Sequence, residues 1–367
     1  MSFYKTIRMS QPKVLAFYLP QYHPFKENDE WWGKGFTEWT NVTKAKPLFR
    51  GHYQPKVPSE LGYYDLRQTR VQRSQADLAV QYGVDGFCYY HYWFDGTELM
   101  GLPLRNMISD NSINIPFCLC WANETWYNKM WSKDGSITKK KVLIEQTYPG
   151  ADDNERHFYS LLDAFRDERY IKVDGRLLFM VYRPLEITGL KAFMEQWNSL
   201  ADRNGLPHFY FVGQSTHMAD MDRLRETGLD CVDYLGLWDA LAKQNHIVKW
   251  SKRIWQNISR TPRKVRYTSL LDDMMSDQCR DEFICPTLLP NWDHTPRSGL
   301  NGFVLTGTTP DVFARQARIA FDQVKEKQNK LVFLKSWNEW GEGNYMEPDT
   351  KFGRGYLDAL LREKERG

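Results

Sequence analysis

Runs of apolar, β-branched and aromatic residues recur along the chain, and segments with helical periodicity fill the gaps between them. This alternation is the signature of parallel β/α architecture, in which strands are buried on both faces and each crossover helix lays one apolar stripe on the sheet. The runs that read as strands are 14–22, 85–93, 116–123, 177–183, 209–216, 231–238, 284–292 and 332–340. Each has room for a helix beside it, and no Gly-rich phosphate turn follows the first. The pattern favours one closed (β/α)8 TIM barrel over an open doubly wound sheet. The helix before the last strand is the clearest: Thr309 can cap it, Pro310 suits its first turn, and Phe313, Ala317, Ala320, Phe321 and Val324 share a face. A single domain over 1–367 is expected, with 1–12 as an N-terminal extension.

Two connections exceed what a barrel needs. The β1–α1 connection, 23–64, carries Trp31, Trp32, Phe36, Trp39, Phe49, Tyr53 and Tyr63, and loops of this length are uncommon unless they build a site. The β6–β7 connection, 239–283, holds eight basic residues and no acidic one between Lys243 and Arg266, with Ile247, Trp250, Ile254 and Ile258 on one helical face. A solvated helix flank is the plainer reading of this stretch. A peripheral membrane contact or a phosphate-bearing partner is the sharper one.

Composition and the termini add four points. Fourteen Trp, 20 Tyr and 20 Phe make up 15% of the chain, more than a core alone needs, and flat faces rimmed by polar groups suit sugar rings, although most of them serve packing. The six cysteines, at 88, 118, 120, 231, 279 and 285, lack metal-type spacing and read as buried thiols. The first residues lack the apolar stretch of a secretion signal, and no run is long enough to span a bilayer, so a cytoplasmic location is expected. A net charge of +3 marks no nucleic-acid partner.

In a (β/α)8 barrel the C-terminal strand ends point into the mouth where chemistry occurs. The polar residues collected there are Gln21, Tyr22 and His23, then His91, Tyr92 and Trp93, then Trp121, Asn123 and Glu124, followed by Arg183, Gln214 and Trp238. Asn291, Trp292, Asp293 and His294 follow the seventh run, and the eighth ends in Asn338-Glu339-Trp340-Gly341-Glu342. Two carboxylates three residues apart can reach one substrate, and glycoside cleavage needs an acid for the leaving oxygen with a second carboxylate as base, nucleophile or charge stabiliser. A lone Glu in a loop reads equally well as a solvated side chain; the surrounding Trp337, Asn338 and Trp340 tip the balance toward catalysis. Trp39, Trp93, Trp121 and Trp292 are candidate stacking faces, with Gln21, Tyr22, His91, Asn123 and Asn338 as hydroxyl partners. His23, His91 and His294 lie on separate strand ends without a short ligand motif, so neither metal nor cofactor is expected.

Three motifs now stand in order: Ala16-Phe17-Tyr18-Leu19-Pro20-Gln21-Tyr22-His23-Pro24, Gly35-Phe36-Thr37-Glu38-Trp39, and Ser336-Trp337-Asn338-Glu339-Trp340-Gly341-Glu342-Gly343. Over about 12–357 the chain resembles the WbsX-type family, related to glycoside hydrolase family 99. The resemblance implies a (β/α)8 fold and retaining cleavage in which one carboxylate deprotonates the substrate's 2-hydroxyl, giving a 1,2-anhydro sugar, while the other protonates the departing oxygen. Carried over, Glu339 would be the base and Glu342 the acid. Family 99 enzymes have a His where this chain has Gly341, which puts mannose specificity in doubt. The leading expectation is a retaining enzyme cleaving, or transferring across, glycosidic bonds of a bacterial surface-type polysaccharide. The alternatives are a glycosyltransferase of polysaccharide biosynthesis using an activated sugar donor, against which stands the lack of a doubly wound nucleotide-binding pattern, and a non-catalytic glycan-binding barrel.

Overall fold

In a computed structural model of the chain, residues 11–131, 137–244 and 260–366 are described. The barrel is formed by parallel strands β1 (Lys13–Tyr18), β2 (Gly86–Phe94), β3 (Phe117–Trp121), β4 (Arg176–Val181), β5 (Phe209–Ser215), β6 (Cys231–Tyr234), β7 (Ile284–Leu288) and β8 (Leu331–Leu334). Each pairs with the next in sequence and β8 pairs back onto β1, so the ring is closed and has no open edge. The (β/α)8 expectation is met strand for strand. All but the second of the expected runs overshoot at their C-terminal ends: 14–22 stops at Tyr18, and 332–340 at Leu334, whereas 85–93 ends at Phe94. Residues such as Tyr22 and Trp337 leave the ladder yet stay fully buried, because the mouth loops fold inward over the barrel, so an apolar run does not stop where the strand does.

Helices α1 (Lys26–Trp32) and α2 (Glu38–Lys44) lie within the long connection after β1. The outer ring includes α3 (Thr69–Gln81), α4 (Leu102–Ser109), α5 (Ala151–Ser160), α6 (Leu190–Arg203), α7 (Met221–Glu226), α8 (Leu237–Lys243), α9 (Pro310–Val324) and α10 (Gly355–Arg366). In α9 the Thr309 side chain accepts the Val312 N–H, Pro310 occupies the first turn, and Phe313, Ala317, Ala320, Phe321 and Val324 are all buried. All six cysteines are buried thiols. Ile247, Trp250, Ile254 and Ile258 of the basic stretch lie outside the described residues; its end, Arg263–Arg266, runs parallel to Phe303–Thr306 as a two-stranded ribbon. Among the described residues no helix is long and apolar enough to cross a membrane.

Asp85 closes the base of the barrel. Its carboxylate accepts the Val14 N–H of β1 at 2.7 Å, the Lys364 ammonium of α10, and Lys13 Nζ at 3.2 Å, so one side chain at the start of β2 joins the first strand to the last helix. At the mouth, Glu347 does the corresponding work. Fully buried, it accepts Trp340 Nε1 at 2.6 Å, Tyr64 OH at 2.9 Å and Gln75 Nε2 at 2.6 Å, tying the loop after β8 to the connection after β1 and to α3. Burial pushes this carboxyl up from its ordinary 4.5 to about 7.

Replacing Asp85 with Ala is expected to cost about 2–3 kcal/mol, since a charged acceptor is lost and Lys13 and Lys364 lose their carboxylate partner; urea denaturation reads the loss, and Asp85→Asn, which keeps an acceptor for Val14, recovers part of it. For Glu347, a folded-state value above the unfolded one means stability falls as pH rises from 4.5 through about 7. Denaturation across that window should show the decline in the native protein and a flatter slope in Glu347→Gln; identical slopes would contradict the assignment.

Candidate active site

Beyond β8 the chain forms a tight hairpin in which Asn338 and Glu339 pair antiparallel with Tyr345 and Asn344, while Trp340–Glu342 make a single 3₁₀ turn. Gly343 ends the turn in the left-handed region at φ 71°, with the Asp293 backbone nitrogen 3.0 Å from where a Cβ would stand. Glycine is required there on both counts. Trp340 is fully buried, stacked on Tyr345 at 3.7 Å between ring centroids. With the Trp fixed, Glu339 and Glu342 face one space, their side chains 8% and 14% exposed.

That space is filled by Arg297, from the short helix Thr295–Ser298 after β7. Its Nη1 lies 2.5 Å from Glu342 Oε1 and 3.5 Å from Glu339 Oε1, so one nitrogen bridges the pair. Its Nε and Nη2 lie 3.2 and 3.1 Å from Glu38 Oε2 of α2. Glu339 also accepts Ser336 Oγ at 3.2 Å and has Lys335 Nζ at 3.6 Å, itself bonded to Tyr90 OH at 2.8 Å. Glu342 has Asn344 Nδ2 at 3.4 Å and His294 Nε2 at 3.6 Å. Three carboxylates thus share two permanent cations, the compensation that buried charge demands.

The two acids differ in ionisation. Burial, then the charge of Glu342, pushes Glu339 up. Burial would raise Glu342 as well, but Arg297, His294 and Lys335 outweigh it and hold that carboxyl at about 2. The two carboxyls are thus pushed in opposite directions, Glu339 toward holding a proton and Glu342 toward ionisation, the ordering an acid–base pair requires.

Of the residues collected from the strand ends, His294 approaches Glu342 at 3.6 Å, and the Tyr92 hydroxyl lies in the field of Glu339, Glu124 and Arg297. Glu124 and Arg183 face each other at 3.5 Å, both 43% exposed, with Arg183 over the Tyr182 ring. Others support the loop from beneath. Tyr22 donates to the Asn338 carbonyl at 2.5 Å and accepts the Trp340 N–H at 3.1 Å; Asn338 exchanges hydrogen bonds with the Leu19 backbone at 2.7 and 3.0 Å; Trp39 donates to the Tyr64 carbonyl and packs on Tyr22 and Trp340. Gln21 donates to Asn28, and His23 contacts the Pro24 carbonyl.

A second group lies apart from the acids. His91 and His157 share a 2.9 Å contact, Trp93 stacks on His157 and donates to Asp153, and Trp121 donates to the Trp93 carbonyl, with one edge lining a cavity of about 170 Å³ between the starts of α5 and α6. Burial drives His91 down to about 3, so it is neutral. Asn123 is spent on the Arg183 backbone and Tyr148, Gln214 on Asp233 inside the barrel, and Trp238 and Trp292 pack on each other. Asn123 and Asn338 make their hydrogen bonds within the protein, and Tyr22 and His91 are buried and paired.

Sequence reasoning missed Arg297, Glu38, Lys335 and Ser336. Glu38 stands inside the Gly35–Trp39 motif, and Arg297 falls one helical turn after His294, which is the signal that would have found it. Asp293 carries no signal in the sequence beyond its place at a strand end. It is buried, accepts His52 Nε2 at 2.8 Å and Gln54 Nε2 at 2.7 Å, and donates its N–H to the Glu342 carbonyl at 2.6 Å, pinning the acid turn to both neighbouring loops.

Residues 14–360 match the family described as Glycosyltransferase WbsX. The protein WxcX of Xanthomonas campestris pv. campestris (strain ATCC 33913) is 35% identical over 367 residues, an alignment covering 97% of this chain and 50% of WxcX. In strain B100 the identity is 35% over 358 residues, covering 94% and 48%. The chain thus spans about half the length of these relatives. Among solved structures, a glycoside hydrolase-like protein superposes with a TM-score of 0.60 at 15% identity, covering 97% of this chain and 95% of that one. The GH99 endo-α-mannosidase of Bacteroides thetaiotaomicron gives 0.57 at 14% identity, covering 96% and 98%. At such identities these structures share the fold. The motifs, the closed barrel and the match across almost the whole sequence agree, and the chain belongs to the WbsX glycosyltransferase family.

Proposed function

We propose that this chain is a carbohydrate-active enzyme that breaks a glycosidic bond with retention and passes the sugar to water or to a hydroxyl of a second glycan, with Glu342 as the base and Glu339 as the proton donor. The observation that carries this reading is the shared Arg297 nitrogen. Two carboxylate oxygens at 2.5 and 3.5 Å from one atom lie no farther apart than the sum of those distances. A bound of 6.0 Å on the nearest oxygens leans toward the roughly 5–5.5 Å between the carboxyl groups of retaining pairs and away from the roughly 6.5–9.5 Å of inverting pairs, which must admit a water between them.

The route implied by the family resemblance suits this charge arrangement with the two roles exchanged. Ionised Glu342 takes the proton of the substrate's 2-hydroxyl, whose oxygen displaces the aglycone from the anomeric carbon to give a 1,2-anhydro sugar. Glu339 gives its proton to the departing oxygen. In the second half, Glu339 as carboxylate takes a proton from the incoming water or sugar hydroxyl, the anhydride opens, and Glu342 returns its proton to O2. Hydrolysis and transfer share the first half and differ only in the acceptor, and the family's description favours a glycan acceptor. The proposed substrate is a bacterial surface-type polysaccharide, with Tyr92, His294, Glu124 and Arg183 along its approach.

Substitution separates the roles. Both Glu339→Gln and Glu342→Gln should lower turnover of an ordinary oligosaccharide by about 10²–10⁴-fold. With an aryl glycoside whose leaving group needs no proton, Glu339→Gln should recover the first half of the reaction, read as release of the aryl group in the first turnover, and Glu342→Gln should not. Recovery by Glu342→Gln instead would restore the roles implied by the resemblance, and full activity of both variants would remove the pair from the chemistry.

A further inference from the structure

Arg297 is held from behind. Its Nε and Nη2 face a single Glu38 oxygen, at 3.2 and 3.1 Å, and because a guanidinium is planar this leaves Nη1 directed at the acid pair. Of the two contacts Nη1 makes there, that to Glu342, at 2.5 Å, is a full ionic hydrogen bond, while that to Glu339, at 3.5 Å, is not. Gly341 leaves room for this arrangement: a Cβ at that position would collide with the Glu38 carboxylate and stand 3.1 Å from Arg297 Nε. The space between the two acids in sequence is therefore given over to the Glu38–Arg297 pair.

The other charged and titratable groups around Glu342 do less. His294, from the segment after β7, stands off at 3.6 Å; Lys335, from the end of β8, approaches Glu339 and not Glu342; Glu339 and Glu38 are themselves acidic; Tyr22 and Tyr182 are buried phenols held well above neutrality. We propose that Arg297, aimed by Glu38, is the positioning residue that keeps Glu342 charged in the resting site and so sets it apart from Glu339. This rests on the reading of the acid pair as the reactive groups, but it concerns their ionisation and can be tested without turnover.

The test is carboxyl ¹³C NMR of the full chain labelled at glutamate, with the Glu342 signal assigned by its loss in Glu342→Gln. In the native protein Glu342 should stay ionised down to the lowest pH at which the protein is folded. In Arg297→Met it should titrate at least one pH unit higher, in Glu38→Gln it should move the same way by less, and Arg297→Lys should return it toward the native position. Should Arg297→Met not fold, Glu38→Gln carries the same test. A Glu342 titration unmoved in the folded variants overturns the proposal. On an active protein, the acid limb of kcat/KM should rise by the same amount in Arg297→Met, a change that a purely structural residue would not produce. A shifted titration without turnover of any saccharide would leave the positioning role standing and the proposed reaction refuted, and turnover without a shift would do the reverse.

Discussion

A guanidinium among three carboxylates is the interaction on which the mouth of this barrel depends. Glu38, Glu339 and Glu342 arrive from the two ends of the chain and meet in a space nearly closed to solvent, where ionised carboxylates without counter-charge would cost several kcal/mol each. Arg297 answers all three at once, and Lys335 adds a second positive charge beneath Glu339. Since the compensation is uneven, the two central acids become chemically different although they sit three residues apart on one turn.

Holding that turn takes more of the molecule than the turn itself. Asp293 fixes its backbone from the segment after β7, and the Glu347, Tyr64, Gln75 and Tyr22 cluster fixes Trp340 from below. Both supports draw on the long connection after β1, which brings His52 and Gln54 to Asp293 and Tyr64 to Glu347. The length of that connection is thus explained by what it secures. The barrel supplies a rigid rim, and the first and last segments of the sequence close over it together, consistent with the general need for reactive groups to be locked by their neighbours.

Much of this was legible in the residues. The eight strands follow from burial on both faces, which leaves uninterrupted apolar runs, and the acid pair follows from its place after the last of them. The aromatic and amide residues were harder to read, because a Trp or Asn at a strand end looks the same whether it meets a sugar or its own backbone. Asn123 and Asn338 spend their amides on Arg183 and Leu19, and Trp93 gives a face to His157. Arg297 was hidden for the opposite reason. A lone Arg in a polar loop is ordinary, and only the path of the chain after β7 brings it against residues 38, 339 and 342. Glu347 and Gly341 belong to the same class: the first is marked by burial, the second by the carboxylate that occupies the space beside it, and spacing records neither.

The closeness of Glu339 and Glu342 makes a commitment about stereochemistry that does not depend on which acid plays which part. Proton NMR during the first minutes of reaction, before mutarotation, reports the anomeric configuration of the sugar released or of the bond newly made. The same configuration as in the substrate is the predicted result, and inversion would mean that the two carboxylates do not act on a sugar in the way their shared contact with Arg297 implies.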